Sequence, residues 1–135
     1  MRKLIIAAFM FVSSFGTNVM ADGHSIKMGI ILGFTGPIES LTPAMAASAE
    51  LAFKEASDSG SLLGGKKIKS IRADSTCVDS AAATAAAEGV ISQGVTAIMG
   101  ADCSGVTGAV LSNVAVPNGV PMISPSATSP ALTTA

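Results

Sequence analysis

The chain contains no tryptophan and no tyrosine, and only five phenylalanines in 135 residues. Platforms for stacking nucleic-acid bases are therefore poorly supplied. It has a single histidine, His24, so an arrangement of serine, histidine and aspartate lacks an obvious base. It has two cysteines, Cys77 and Cys103. Two cysteines and one histidine do not make a convincing zinc site of four ligands. No G-x-S-x-G elbow and no G-x-x-x-x-G-K-[ST] phosphate loop occurs. Gly33 and Gly36 do not fit G-x-G-x-x-G, so a dinucleotide site is poorly supported. Catalysis, cofactors and metals are thus not expected.

What is present begins with a leader pattern. Arg2 and Lys3 give a short basic start, Leu4 to Val12 is unbroken apolar sequence, and Val19-Met20-Ala21 offers small residues at a cleavage site. This is the pattern of a secretory signal peptide over 1–21, cut after Ala21. A membrane anchor is the competing reading, but the apolar run is well short of the ~20 residues a spanning helix needs. Beyond Ala21 lie six basic and nine acidic residues, a net charge of −3. That balance gives no electrostatic case for nucleic acid or an anionic membrane. Export places both cysteines in an oxidising compartment, where an even count suggests one disulfide. A thiol or metal site is the alternative.

The rest, 22–135, reads as one domain. Ile26 to Leu32 is short and apolar, as a buried strand should be. Thr42-Pro43 looks like a capped helix start, and Met45, Ala49, Ala52, Phe53 and Ala56 follow at helical spacing. Lys69 to Ala73 reads as a second strand. Asp79 is placed to cap an alanine-rich helix running to about Gln93. Val95 to Met99 is a third strand, and a helix from Ser104 to Val114 carries Val106, Val110 and Val114 along one side. Pro117-Asn118-Gly119 reads as a turn before a fourth strand, Val120 to Ser124. Strands alternating with helices predict an α/β fold with a doubly wound parallel sheet. Ligands of such sheets bind outside the carboxyl ends of the strands. Four loops fall there: Gly33 to Thr42, Asp74 to Asp79, Gly100 to Ser104, and Ser124 to Pro130.

These loops are rich in hydroxyls and glycine and poor in acid–base groups. Ser104 begins a helix, where free N–H groups and the dipole favour an anion such as a carboxylate. Plain N-capping is the competing reading. The Ser126-Ala127-Thr128 loop offers two hydroxyls and several backbone groups, and a carbonyl there suits an ammonium. An ordinary strand-to-helix turn is the alternative.

In combination, several segments carry a resemblance. They are Ile26-Lys27-Met28-Gly29, Phe34-Thr35-Gly36-Pro37, Asp74 to Asp79 with its cysteine, Gly100-Ala101-Asp102-Cys103-Ser104, and Met122 through Thr133. Together they resemble the N-terminal lobe of periplasmic leucine/isoleucine/valine-type binding proteins, the soluble receptors of ABC transporters for branched-chain amino acids. The resemblance implies the type I periplasmic binding protein fold and a disulfide between Cys77 and Cys103. It also implies that Ser104 binds the ligand carboxylate. Ser126 lends a backbone carbonyl to the ammonium, and Thr128 contacts both charged groups. The family has two lobes closing on the ligand, and this chain is expected to supply the first of them, incomplete. The expected function is binding an aliphatic amino acid in the periplasm for import, with membrane permease subunits as partners. The alternative is a sensor or regulatory module of the same fold that recognises amides, urea or a related small molecule.

Overall fold

The structure, a computed structural model, describes residues 25–134. The expected leader over 1–21, its cleavage site and His24 lie outside the described residues.

The fold is organised by its first strand. In β1 (Ser25–Leu32) the consecutive residues Ile30, Ile31 and Leu32 are all fully buried. Successive strand residues point to opposite faces, so both faces of β1 must be covered. Ile30 and Leu32 pack with Met45, Ala46, Ala49 and Phe53 of α1 (Thr42–Asp58). Ile31 faces the other way, into the larger cluster formed by Ala83, Ala87 and Val90 of α2 (Ser80–Ser92) with Val106, Val110 and Val114. The remaining strands are β2 (Lys67–Asp74), β3 (Ala97–Gly100) and β4 (Met122–Ile123). All pair in parallel, in the order β2-β1-β3-β4. The parallel α/β architecture read from the alternation is therefore what the chain adopts.

Local chemistry explains most element boundaries, and several differ from the expected ones. Thr42 does not cap α1. It is the first helical residue, and its buried hydroxyl donates to the Gly33 carbonyl at 3.1 Å. Ala46, rather than the exposed Ala52, is the buried centre of that helix. Asp79 does cap α2, its Oδ1 accepting from the Ala81 and Ala82 N–H groups at 2.9 and 3.0 Å. Small residues let α2 lie close on the sheet. At Gly29 of β1, a Cβ would already stand 3.3 Å from Ile98 and 3.4 Å from Val90.

The third helix runs past its expected end. It begins as α3 (Ser104–Val110), widens into a π-helical segment at Leu111–Ala115, and finishes as the short turn α4 (Val116–Asn118). Pro117 thus lies inside helix rather than in a loop. It has no N–H to give, and its ring crowds the carbonyl four residues back, so the wider turn precedes it. Gly119 closes the helix in the left-handed conformation, with the Val120 N–H reaching back to the Ala115 carbonyl at 2.9 Å. β4 is left with two residues, shorter than expected. Beside it the α1 face of the sheet is open, and Ile123 is 70% exposed.

The chain passes from β1 outward to β2 and then returns to the other side of β1 for β3. That reversal is the switch point at which parallel α/β sheets receive ligands, at their carboxyl edge.

Candidate functional site

At the carboxyl edge the loops are tied to one another rather than to solvent. The centre of the ties is Asp102, only 2% exposed. Its Oδ2 accepts from the Gly33 N–H of the β1 loop at 2.7 Å. Its Oδ1 accepts from the Cys103 N–H at 2.9 Å and from the Ser75 hydroxyl of the β2 loop at 3.4 Å. The carbonyls of Ala101 and Asp102 then accept from the β4 loop, from the Ser124 hydroxyl at 2.5 Å and the Ser126 hydroxyl at 2.8 Å. Such a buried carboxylate is tolerable because its oxygens are met by donors. The approach of β3 to β1 needs a glycine. At Gly100, φ is +132°, and a Cβ would fall 2.0 Å from the Ile31 carbonyl oxygen.

Ser104 follows two residues later. It does not cap its helix; the capping position belongs to Cys103, which makes no side-chain cap bond. The Ser104 Oγ instead accepts from two backbone groups of the β4 loop, the Thr128 and Ser129 N–H, each at 3.1 Å. A hydroxyl has two acceptor lone pairs and one proton. With both lone pairs engaged, what Ser104 has to offer is the proton, and it suits an acceptor such as a carboxylate. Thr128 is exposed beside it, and its hydroxyl has no partner among the described residues. Ser126 is also exposed, its hydroxyl directed to the Asp102 carbonyl. The three residues singled out from the sequence therefore lie on one edge, and Ser104 touches the Thr128 backbone directly.

Two further devices shape this edge. Cys77 and Cys103 form a disulfide that joins the β2 and β3 loops, with a Cα–Cα distance of 5.2 Å. Asp74, at the end of β2, accepts from the Thr35 hydroxyl at 2.5 Å, the Thr35 N–H at 3.3 Å and the Thr76 N–H at 2.8 Å. Burial alone would raise the Asp74 carboxyl. The hydrogen bonds from Thr35, and from the backbone of Thr76, Thr35 and Phe34, outweigh it and hold the group below the ordinary carboxylate range. Gly36 allows the two loops to meet, since at φ +93° its Cβ would stand 2.6 Å from the Thr76 carbonyl oxygen.

Asp102 and Asp74 were not singled out from the sequence. Asp102 sits in the Gly100 to Ser104 segment, but its partner Gly33 is 69 residues away, and no local spacing reveals that bond. Among the described residues, no three His, Cys, Asp or Glu side chains come together, and no closed cavity forms. The edge is an open shelf carrying hydroxyls, backbone N–H groups and carbonyls. Its chemistry is that of hydrogen bonding, with donors and acceptors side by side.

The sheet order and this shelf define a class, the type I periplasmic binding protein fold. The chain belongs to the periplasmic binding protein family, whose model matches residues 25–135. Among solved structures it is similar to the branched-chain amino acid transporter substrate binding protein LivJ from Streptococcus pneumoniae, in complex with isoleucine. Identity there is 33% and the TM-score 0.72, over 82% of this chain and 31% of that one. It is similar to an ABC transporter substrate-binding protein from Desulfitobacterium hafniense in complex with Leu, at 28% identity and TM-score 0.68, over 82% and 31% of the two chains. A leucine binding protein from Thermotoga maritima matches at 27% identity and TM-score 0.69, over 80% and 29%. This chain thus spans about a third of the length of these structures. No curated protein matches it by sequence.

Proposed function

We propose that this chain is the first lobe of a solute-binding protein that takes a branched-chain or other aliphatic amino acid and delivers it to the membrane permease of an ABC transporter. The observation that carries the reading is the Ser104 hydroxyl, which accepts from the Thr128 and Ser129 N–H groups and so has its proton to donate. In this reading Ser104 donates to the ligand carboxylate. The backbone carbonyl of Ser126 accepts from the ammonium, and the Thr128 hydroxyl, able both to donate and to accept, reaches both charged groups. A facing lobe closes the shelf from water and supplies an acidic partner for the ammonium and most of the side-chain pocket. Residues 1–21 act as the export leader, so the protein works in the periplasm as a domain over 22–135 joined to that second lobe. Isoleucine and Leu in two of the similar structures support the ligand class.

Calorimetric titration of the full-length protein tests the proposal. Leucine or isoleucine binds, and leucine amide binds at least about tenfold more weakly, because a hydrogen bond to a charged group contributes roughly 1.5–3 kcal/mol. Thr128→Ala weakens leucine binding by about ten- to a hundredfold for the same reason. Binding of urea or a simple amide, with no response to amino acids, would overturn the proposal in favour of a sensor of the same fold.

A further inference from the structure

We infer that Asp102 is the positioning residue for the Ser104 hydroxyl, and that the carboxylate preference of the site depends on it; this rests on the binding role proposed above for Ser104. The Asp102 side chain is closed off from solvent. It is 2% exposed, and its carboxylate is enclosed by the Gly33 N–H, the Cys103 N–H and the Ser75 hydroxyl, from three different loops. All three are donors. The adjoining carbonyls extend the same node to the fourth loop, since Ala101 accepts from Ser124 and Asp102 from Ser126. Ala101 also accepts from the Thr107 hydroxyl at 3.0 Å, which fixes the node to the first turns of α3.

Ser104 is two residues from this node on the same backbone, and its Oγ in turn holds the Thr128 and Ser129 N–H groups. The Asp102 carboxylate therefore holds, through the Cys103 N–H, the backbone that carries Ser104, and the Asp102 carbonyl accepts from Ser126 in the loop that carries Thr128. The direction of the Ser104 proton is set at both ends by groups that Asp102 fixes. Asparagine has nearly the same shape but presents an amide NH₂ in place of one oxygen. Whichever way it turns, a donor then faces the backbone N–H of Gly33 or of Cys103. A buried donor facing a donor is costly, so the 101–104 backbone rotates and carries the Ser104 hydroxyl off its aim.

The test compares leucine with leucine amide on the full-length protein, by calorimetry and competition. A residue that only supports the fold weakens both ligands alike. Asp102→Asn is expected to weaken leucine by about tenfold and leucine amide by less than about twofold, which reduces the carboxylate preference. In a Ser104→Ala background the same substitution is expected to add less than about twofold, because residues acting through one another are not additive. If Asp102→Asn fails to fold, Ser75→Ala removes one of the three donors, and a drop of about two- to threefold in the leucine-to-amide ratio is expected. Equal weakening of both ligands, or full additivity with Ser104→Ala, overturns the inference while leaving the amino-acid reading intact. An unchanged ratio in Ser75→Ala, where that variant carries the test, overturns it equally. Failure of the wild-type protein to bind leucine overturns the reading itself, and this inference with it.

Discussion

The two edges of the sheet use the same residue types in opposite ways. At the amino edge, Ser57 near the end of α1 accepts from the Ile68 N–H at 2.9 Å, and its carbonyl accepts from Lys67 at 2.7 Å. These bonds join residues ten or eleven apart, across a single connection. At the carboxyl edge, the bonds made by Ser104, Ser126, Asp74 and Asp102 join loops 24 to 69 residues apart. The longer ties at the amino edge, from the Lys27 ammonium to the Gln93 carbonyl at 2.8 Å and from the Thr96 hydroxyl to the Lys27 carbonyl at 3.1 Å, are exposed and join β1 only to the connection ahead of β3. The carboxyl edge is one network, in which each loop is held in shape by the others. A binding surface needs that second arrangement, because its groups come from several loops and must keep their mutual geometry.

The sharpest way to break the difference is to cut the covalent link within the carboxyl network. Replacing Cys77 and Cys103 by serine opens a closed loop with a sequence separation of 26, worth about 3.5 kcal/mol in the chain-entropy model. Urea unfolding should show that loss, and ligand affinity should fall with it, because the β2 and β3 loops then move separately.

A smaller effect comes from acid. The folded Asp74 carboxyl lies below its ordinary value, held there by neutral hydroxyl and N–H donors. It contributes stability that is present above the unfolded value of about 3.9 and lost as pH falls through the lower folded value. Asp74→Asn should therefore flatten the loss of stability as pH falls below the ordinary carboxylate value of about 3.9. Smallest is the amino-edge counterpart. Asp58 is also lowered, by its hydrogen bond and charge interaction with Lys54 and then by Lys67, but the pair is fully exposed. Salt screens exposed charges, so raising ionic strength should remove the Asp58 contribution and leave that of Asp74. Acid unfolding at low and high salt checks both.

Much of the fold was legible in the sequence because it follows from local periodicity and caps. The apolar run of β1, the Asp79 cap and the valine stripe of α3 each signal themselves within a few residues. What was not legible depended on distant partners. Thr42 has the chemistry of a cap, yet its hydroxyl donates to the Gly33 carbonyl across the β1 loop. Ser104 likewise reads as a cap until the β4 loop arrives to supply two N–H groups. Pro117 reads as a helix stop, whereas a π-helical segment ahead of it carries the helix on to Asn118. Hydroxyl-rich segments marked where the candidate site lies. The residue that ties them, Asp102, was visible only as one more polar loop residue.

The most direct measurement of the account pairs one substitution from each edge, Ser104→Ala and Ser57→Ala, in the full-length protein. Leucine affinity and the unfolding midpoint are measured for both. Ser104→Ala should lose about ten- to a hundredfold in affinity, with a stability loss no larger than that of Ser57→Ala, since the Thr128 and Ser129 N–H groups it frees lie in an exposed loop where water replaces the acceptor. Ser57→Ala should lose about 1–2 kcal/mol of stability, because the Ile68 N–H is left without its acceptor, and should bind leucine as the wild type does. That crossover is the predicted result. Unchanged affinity in Ser104→Ala, or an equal loss of affinity in both variants, would contradict the placement of the binding site on the carboxyl edge.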